Sequence, residues 1–160
     1  MIVLGIDPAL AVSGYGVIKV ERSALSLIEA GIIKTSAKEP VCARLDLIYR
    51  GVVKLINDTR AECLVLEKIY SHYKHPVTAC ILGQARGVIC LAAFRTGVPF
   101  FEYSATRIKK AIVGKGLASK TQVQQMVTHT LELKSSSPFL DVTDALALAI
   151  GHSYITKAKI

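Results

Sequence analysis

LGIDPALAVSGYGVI, residues 4–18, decides how this chain is read. An apolar run ends in Asp7, then come Pro8, small residues, Gly14 and Gly16, and a second apolar run. The pattern is strand, tight small-residue turn, strand. A carboxylate at the end of a buried strand must be solvated, paired or bound to a metal, because burying it alone costs too much. Taken alone, Asp7 before Pro8 is an ordinary turn aspartate.

Outward from this stretch, residues 2–7 and 14–20 are expected to be strands, and 25–34 a third, with a glycine that marks a bulge. Short connections make the three an antiparallel meander. Val41, Leu45, Ile48, Val52 and Leu55 then recur at helical spacing over 41–56. Residues 62–67 (ECLVLE) form another short apolar run that ends in a carboxylate. Residues 77–95 are helical in length and apolar on nearly every face, so this helix needs burial on two sides, a sheet behind and a second subunit in front. Residues 98–103 are a fifth strand, and helices are expected over 104–113, 119–132 and 141–155, with KSSSP (134–138) as a loop. The order predicts an α/β fold, a five-stranded mixed sheet flanked by helices, with sites at strand ends.

A length of 160 residues suits a single domain over 1–160. No apolar run reaches about 18 residues without a charge or strongly polar group, so no membrane partner is expected. Residues 1–18 lack the basic stretch and cleavage site of a signal peptide, which places the chain in the cytoplasm. Cys42, Cys63, Cys80 and Cys90 match no zinc spacing, and three of them, in apolar contexts, are expected to be small core residues. The net charge of +8 is segregated. Residues 1–67 and 132–160 are balanced, whereas 68–131 hold nine Lys/Arg against one acid, Glu102. Segregated positive charge suits a polyanion, with binding that weakens as salt rises.

Asp7 and Glu67 each close an apolar run, and Asp141 and Asp144 stand i, i+3 at the start of the last helix. Each has an ordinary explanation alone: a turn residue, a solvated strand end, helix-start acids. Together, three distant segments deliver carboxylates to the mouth of one core. In a basic protein such a cluster suits a metal cage for Mg²⁺, a hard cation held by carboxylates and phosphate oxygens during phosphodiester hydrolysis.

The same residues carry a family resemblance. LGIDPALAVSGYGVI, RLDLIYRGV (44–52), VLEKIY (65–70), LGQARGV (82–88), VGKGLASKTQVQQMV (113–127) and DVTDALALAIGH (141–152) resemble the RuvC Holliday-junction resolvases in order and spacing, over essentially the full length. The resemblance implies a ribonuclease-H-like fold and a homodimeric, Mg²⁺-dependent endonuclease that nicks opposed strands of a four-way DNA junction in recombination and repair. It implies one or two ions per subunit, Mn²⁺ as a substitute, and a branch-migration motor partner (RuvA and RuvB). By position, Asp7, Glu67, Asp141 and Asp144 match the catalytic, metal-holding carboxylates. Tyr70 matches an aromatic beside the junction centre, able to stack on a base. Lys109 and Lys120 match basic positions that handle DNA, and the adjacent Lys110 is expected to contact DNA too. His152 matches a structural position.

The chain also departs from the family pattern. Ala9 stands where glycine is usual, costing roughly 1 kcal/mol if that backbone needs a positive φ. Leu10 replaces a small polar residue, and SHYKHPV (71–77), with His72, Tyr73 and His75, is one residue longer than usual and lacks an asparagine. An actin-like phosphotransferase would need a second lobe. A non-catalytic junction-binding protein and a nuclease for other branched DNA are the remaining alternatives.

Overall fold

The computed structural model describes residues 1–22, 24–69, 76–134 and 142–157. The elements run β1 (Ile2–Asp7), β2 (Val12–Glu21), β3 (Ala24–Lys34), α1 (Val41–Thr59), β4 (Cys63–Glu67), α2 (Pro76–Thr96), β5 (Phe100–Tyr103), α3 (Ala105–Val113), α4 (Lys120–Thr130) and α5 (Thr143–Lys157). The sheet order is β3-β2-β1-β4-β5. β1, β2 and β3 pair antiparallel, as the meander predicts, while β4 joins β1, and β5 joins β4, in parallel.

Side-chain alternation divides the strands between two cores. Leu4, Ile6, Leu64 and Leu66 face α1 and α2, packing on Ile48, Val52, Leu55, Ala85 and Ile89. Val3, Cys63 and Val65 face the other way, onto α3, α4 and α5 through Ile108, Val123, Leu146 and Ile150. α5 is buried from Ala145 to Ser153 on every side, as a helix apolar all round requires.

Two glycines set how closely α5 approaches the sheet. Gly5 of β1 and Gly16 of β2 are direct partners in register. A Cβ built on Gly5 would lie 2.1 Å from the Ala145 carbonyl oxygen, and one on Gly16 would lie 2.4 Å from Leu146 Cδ2. The pair forms a bare notch in which the first turns of α5 rest on backbone.

The bulge in β3 is not at its glycine. The β2–β3 register slips between Val17 and Ile18, where Glu29 and Leu27 are the partners and Ile28 is the extra residue. Gly31 has a different task, since a Cβ there would lie 2.8 Å from the Tyr15 hydroxyl. α5 also starts at Thr143, two residues later than expected. The cysteine expectation is half right: Cys63 is buried and Cys90 half-buried, but Cys42 and Cys80 are exposed.

His152 of α5 is 1% exposed. Its Nδ1 lies 2.9 Å from the Tyr103 hydroxyl, and its ring packs on Phe101 with centroids 4.5 Å apart. Burial lowers this imidazole from its ordinary pKa of 6.5, which favours its neutral form. A group whose folded pKa is depressed contributes stability that is present above its unfolded pKa. That contribution is lost as pH falls below about 6.5, by at most about 1.4 kcal/mol per pH unit for one proton. An NMR titration should therefore show His152 protonating only below the ordinary imidazole pKa of 6.5.

Candidate functional site

The same alternation that builds the cores aims the carboxylates. Asp7 follows Val3 and Gly5 on the α5 face of β1, and Glu67 follows Cys63 and Val65 on the α5 face of β4. β1 and β4 are neighbours in parallel register, Ile6 beside Leu66, so the two acids leave adjacent strands at the same level. Strand neighbours stand about 4.8 Å apart. Asp144 arrives from the third direction, in the first turn of α5, whose backbone sits on Gly5. That terminus favours an anionic side chain through the helix dipole.

The electrostatics record how close these groups are. Burial, the largest cause, raises Asp7 above the usual carboxylate range, Asp144 raises it further, and Lys120 opposes both. Burial likewise raises Glu67, followed by repulsion from Asp7 and Asp144, with Lys109 opposing. Both residues remain exposed to solvent, and Glu67 lines the cleft at this site while Asp7 does not. Their desolvation is that of groups backed by protein on one side. Lys120 Nζ lies 2.6 Å from Asp144 Oδ2. Lys120 is the first residue of α4, a position where the helix dipole disfavours a cation. Its carboxylate partner offsets that cost. The Ser119–Gln122 capping box and the buried Val123 and Val127 fix the start of α4.

A cleft of about 270 Å³ lies here, lined by Glu67, Lys109, Lys120, Val123, Asp144 and Leu148 among others. Lys109 comes from α3, which starts on a Ser104 cap and ends on Gly114 at φ 84°. Lys110 is exposed on the same helix and does not line the cleft. Asp141, Tyr70, His72, Tyr73 and His75, together with most of the 134–138 loop, lie outside the described residues. Among the described residues no group of three or more His, Cys, Asp or Glu is close enough to hold a metal ion by itself. The donor set nevertheless suits a hard cation. It offers oxygen ligands only; Asp7 is raised by burial and the Asp144 charge, and Glu67 by burial and the Asp7 and Asp144 charges, a penalty that a bound cation would relieve.

The turn after Asp7 settles the question of Ala9. Ala9 has no positive φ. Its N–H donates to Ser13 Oγ at 3.0 Å, and Ser13 Oγ donates back to its carbonyl at 2.7 Å. The Leu10 carbonyl accepts from Thr35 Oγ1 at 2.5 Å and from Arg44 at 3.2 Å. Alanine therefore costs nothing in backbone strain, and Leu10 is buried. Asp7 stands on a pinned turn.

Arg86 was expected to add to the basic excess. Instead it is half-buried, pairing with Glu102 and donating to the Glu67 carbonyl. The signal for it in the sequence was Glu102, the one acid among residues 68–131.

Residues 3–152 match the family described as "Crossover junction endodeoxyribonuclease RuvC". The protein of that name from Rhodopirellula baltica is 41% identical over 158 residues, 99% of this chain and 89% of its own. That from Clostridioides difficile is 40% identical over 159 residues, 99% and 94% of the two chains. Among solved structures, Thermus thermophilus RuvC in complex with Holliday junction substrate superposes with a TM-score of 0.92 at 32% identity, covering 99% of this chain and 96% of that one. The "Thermus thermophilus RuvC structure" superposes with a TM-score of 0.90 at 33% identity, covering 99% and 97%. The fold is ribonuclease-H-like, and the chain belongs to the RuvC family of crossover junction endodeoxyribonucleases.

Proposed function

We infer that this chain is a DNA endonuclease that resolves four-way junctions by paired symmetric nicks, in homologous recombination and repair. The observation that carries this is the convergence of Asp7, Glu67 and Asp144 from two neighbouring strand ends and a helix start, beside Lys109 and Lys120. Four acids near DNA would repel it, and the two lysines offset that repulsion. The family's nucleases are metal-dependent. Asp7, Glu67, Asp144 and Asp141 are the groups that would hold one or two Mg²⁺ or Mn²⁺ ions. When bound, such an ion supplies Lewis-acid activation of water and stabilises the departing 3′ oxygen. The chain's own share is to hold Asp7 and Glu67 side by side on adjacent strands, and to hold phosphate with Lys109 and Lys120. Tyr70 is proposed to stack on a base at the junction centre, with Lys110 on flanking backbone. A labelled synthetic junction incubated with Mg²⁺ tests this, with paired nicks at symmetric positions expected. Binding without nicks under both Mg²⁺ and Mn²⁺ would overturn it.

The homodimer rests on α2. Its inner face buries Ala85, Ile89, Ala92 and Ala93. Its outer face exposes Val77, Ile81, Leu91 and Phe94, the last at 82%. Gly83 and Gly87 lie bare on that outer face, which lets another backbone approach closely. By length and composition Val77–Thr96 could cross a membrane. Two arginines, one of them ion-paired within the fold, and the buried inner face favour a subunit interface instead. A two-fold dimer matches the near two-fold symmetry of a junction. Phe94→Glu is expected to yield monomers in analytical ultracentrifugation and to lose paired nicking at least about tenfold, by placing charge in an apolar interface. The cytoplasm is the proposed location. A branch-migration motor of the RuvA and RuvB type is a proposed partner.

A further inference from the structure

Arg86 stands at the flank of the inner face of α2, half-buried, with its side chain only 11% exposed. Nη1 donates to the Glu67 backbone carbonyl at 2.6 Å. Nη2 pairs with the Glu102 carboxylate of β5, and the guanidinium stands 5.8 Å from the Phe100 ring centroid. Burial lowers its pKa, and an arginine guanidinium stays charged in proteins.

The location gives these contacts a role. β4 pairs with β1 through Leu66 and with β5 through Glu67. The Lys68 N–H still donates to the Tyr103 carbonyl at 2.8 Å. Past that point the chain leaves the sheet. The Glu67 carbonyl is therefore the last backbone acceptor under the carboxylate, and a side chain from another element holds it. A planar fork can engage a carbonyl and a carboxylate at once, which a single ammonium cannot. Residues 68–131 contain only Glu102 as an acid, and it is committed to keeping this cation in place.

We propose that Arg86 is a positioning residue for the nuclease site, a clamp on the Glu67 carbonyl that fixes the Glu67 carboxylate for metal binding. The proposal rests on Glu67 being one of the metal-holding carboxylates. Arg86 contributes no charge to DNA binding, unlike Lys109 and Lys120, because its guanidinium faces inward.

The test is Mn²⁺ binding without DNA, followed by electron paramagnetic resonance, for wild type, Glu67→Gln, Arg86→Lys, Arg86→Met and Glu102→Gln. Groups that orient metal ligands are typically worth about 10–100-fold in metal affinity. Arg86→Lys, which keeps a cation opposite Glu102, should bind Mn²⁺ at least about tenfold more weakly while its metal-free melting temperature stays near wild type. The Mn²⁺ concentration giving half-maximal junction cleavage should rise by the same factor, excess Mn²⁺ should restore the rate, and metal-free junction affinity should not change. Glu102→Gln keeps the carbonyl bond and should lose less than Arg86→Lys. Wild-type Mn²⁺ affinity in a folded Arg86→Lys, or reduced junction affinity without a metal effect, would overturn the clamp. If Arg86→Met does not fold, Arg86→Lys and Glu102→Gln decide. If Glu67→Gln binds Mn²⁺ as wild type does, the underlying assignment of Glu67 fails. If Glu67→Gln is weakened and Arg86→Lys is not, only the clamp fails.

Discussion

Replacing Asp7 with asparagine is expected to abolish junction cleavage, leave junction binding intact, and raise the melting temperature of the metal-free protein. The first effect follows from the proposed role. A neutral amide offers a cation one poor ligand in place of a charged one, and a loss of at least about 10³-fold in nicking, or about 4 kcal/mol of barrier, is the scale for such a group. The third effect separates a site residue from a structural one. Burial and the Asp144 charge raise Asp7 above its ordinary 3.8, with Lys120 only partly opposing. A group whose folded pKa is raised contributes stability that is fully present below the unfolded pKa and lost as pH rises through the folded value. At pH 7 the ionised carboxylate is therefore a net cost, which asparagine removes. The melting temperature should rise at pH 7 by about 2–4 °C for each kcal/mol of relieved cost. The gap between variant and wild type should close as pH falls toward 3.8. Added Mg²⁺ should raise the wild-type melting temperature more than the variant's, since binding to the folded state alone stabilises it. Calorimetry across pH, with and without Mg²⁺, checks the set. A variant less stable than wild type at pH 7 without metal would contradict the electrostatic account.

Gly5→Ala should be among the most damaging single-methyl changes in the chain. The added Cβ would sit 2.1 Å from the Ala145 carbonyl oxygen and 3.0 Å from the Ala149 nitrogen, both backbone atoms of a buried helix. Neither can rotate away, so α5 must lift from the sheet. Overpacking of this kind costs typically 1–3 kcal/mol, and a backbone clash belongs at or above the upper end. The expected fall in melting temperature is about 6–12 °C for 3 kcal/mol. Because Asp144 rides on the first turn of α5, cleavage should drop even at temperatures where the variant is folded. Gly14→Ala is the matched control, with its nearest neighbour, Val142 Cγ1, at 3.6 Å, an ordinary contact. It should stay within about 0.5 kcal/mol of wild type. Equal melting temperatures for the two variants would refute the notch.

Much of this molecule can be read along the chain. The alternating apolar runs marked β1 to β5, and helical spacing marked α1, because these periods reflect local backbone geometry. Asp7, Glu67 and Asp144 stood out because an acid closing or opening an apolar run conflicts with burial unless something compensates it. Other features were misread. The glycine of β3 was taken for a bulge, yet it makes room for Tyr15, a neighbour on another strand. Ala9 was suspected of strain, yet Ser13 and Thr35 complete its turn in ordinary backbone geometry. Arg86 was counted in the basic excess of residues 68–131, although its partners lie 16 residues ahead on β5 and 19 behind on β4.

The sequence by itself determined the elements, the mixed character of the sheet, the segregated charge and the acids that had to meet something. Each depends on periods of two or about 3.6 residues, or on the cost of leaving a charge unpaired. Only the tertiary structure decided which acids become neighbours, how closely α5 seats, and which cations are paired within the fold. Parallel pairing of β1 with β4 places Asp7 beside Glu67 across 60 residues of chain. The Gly5–Gly16 notch brings Asp144 to them, and Glu102 withdraws Arg86 from solvent. These outcomes are set by contacts between distant segments, and local periodicity carries no information about which segments will meet.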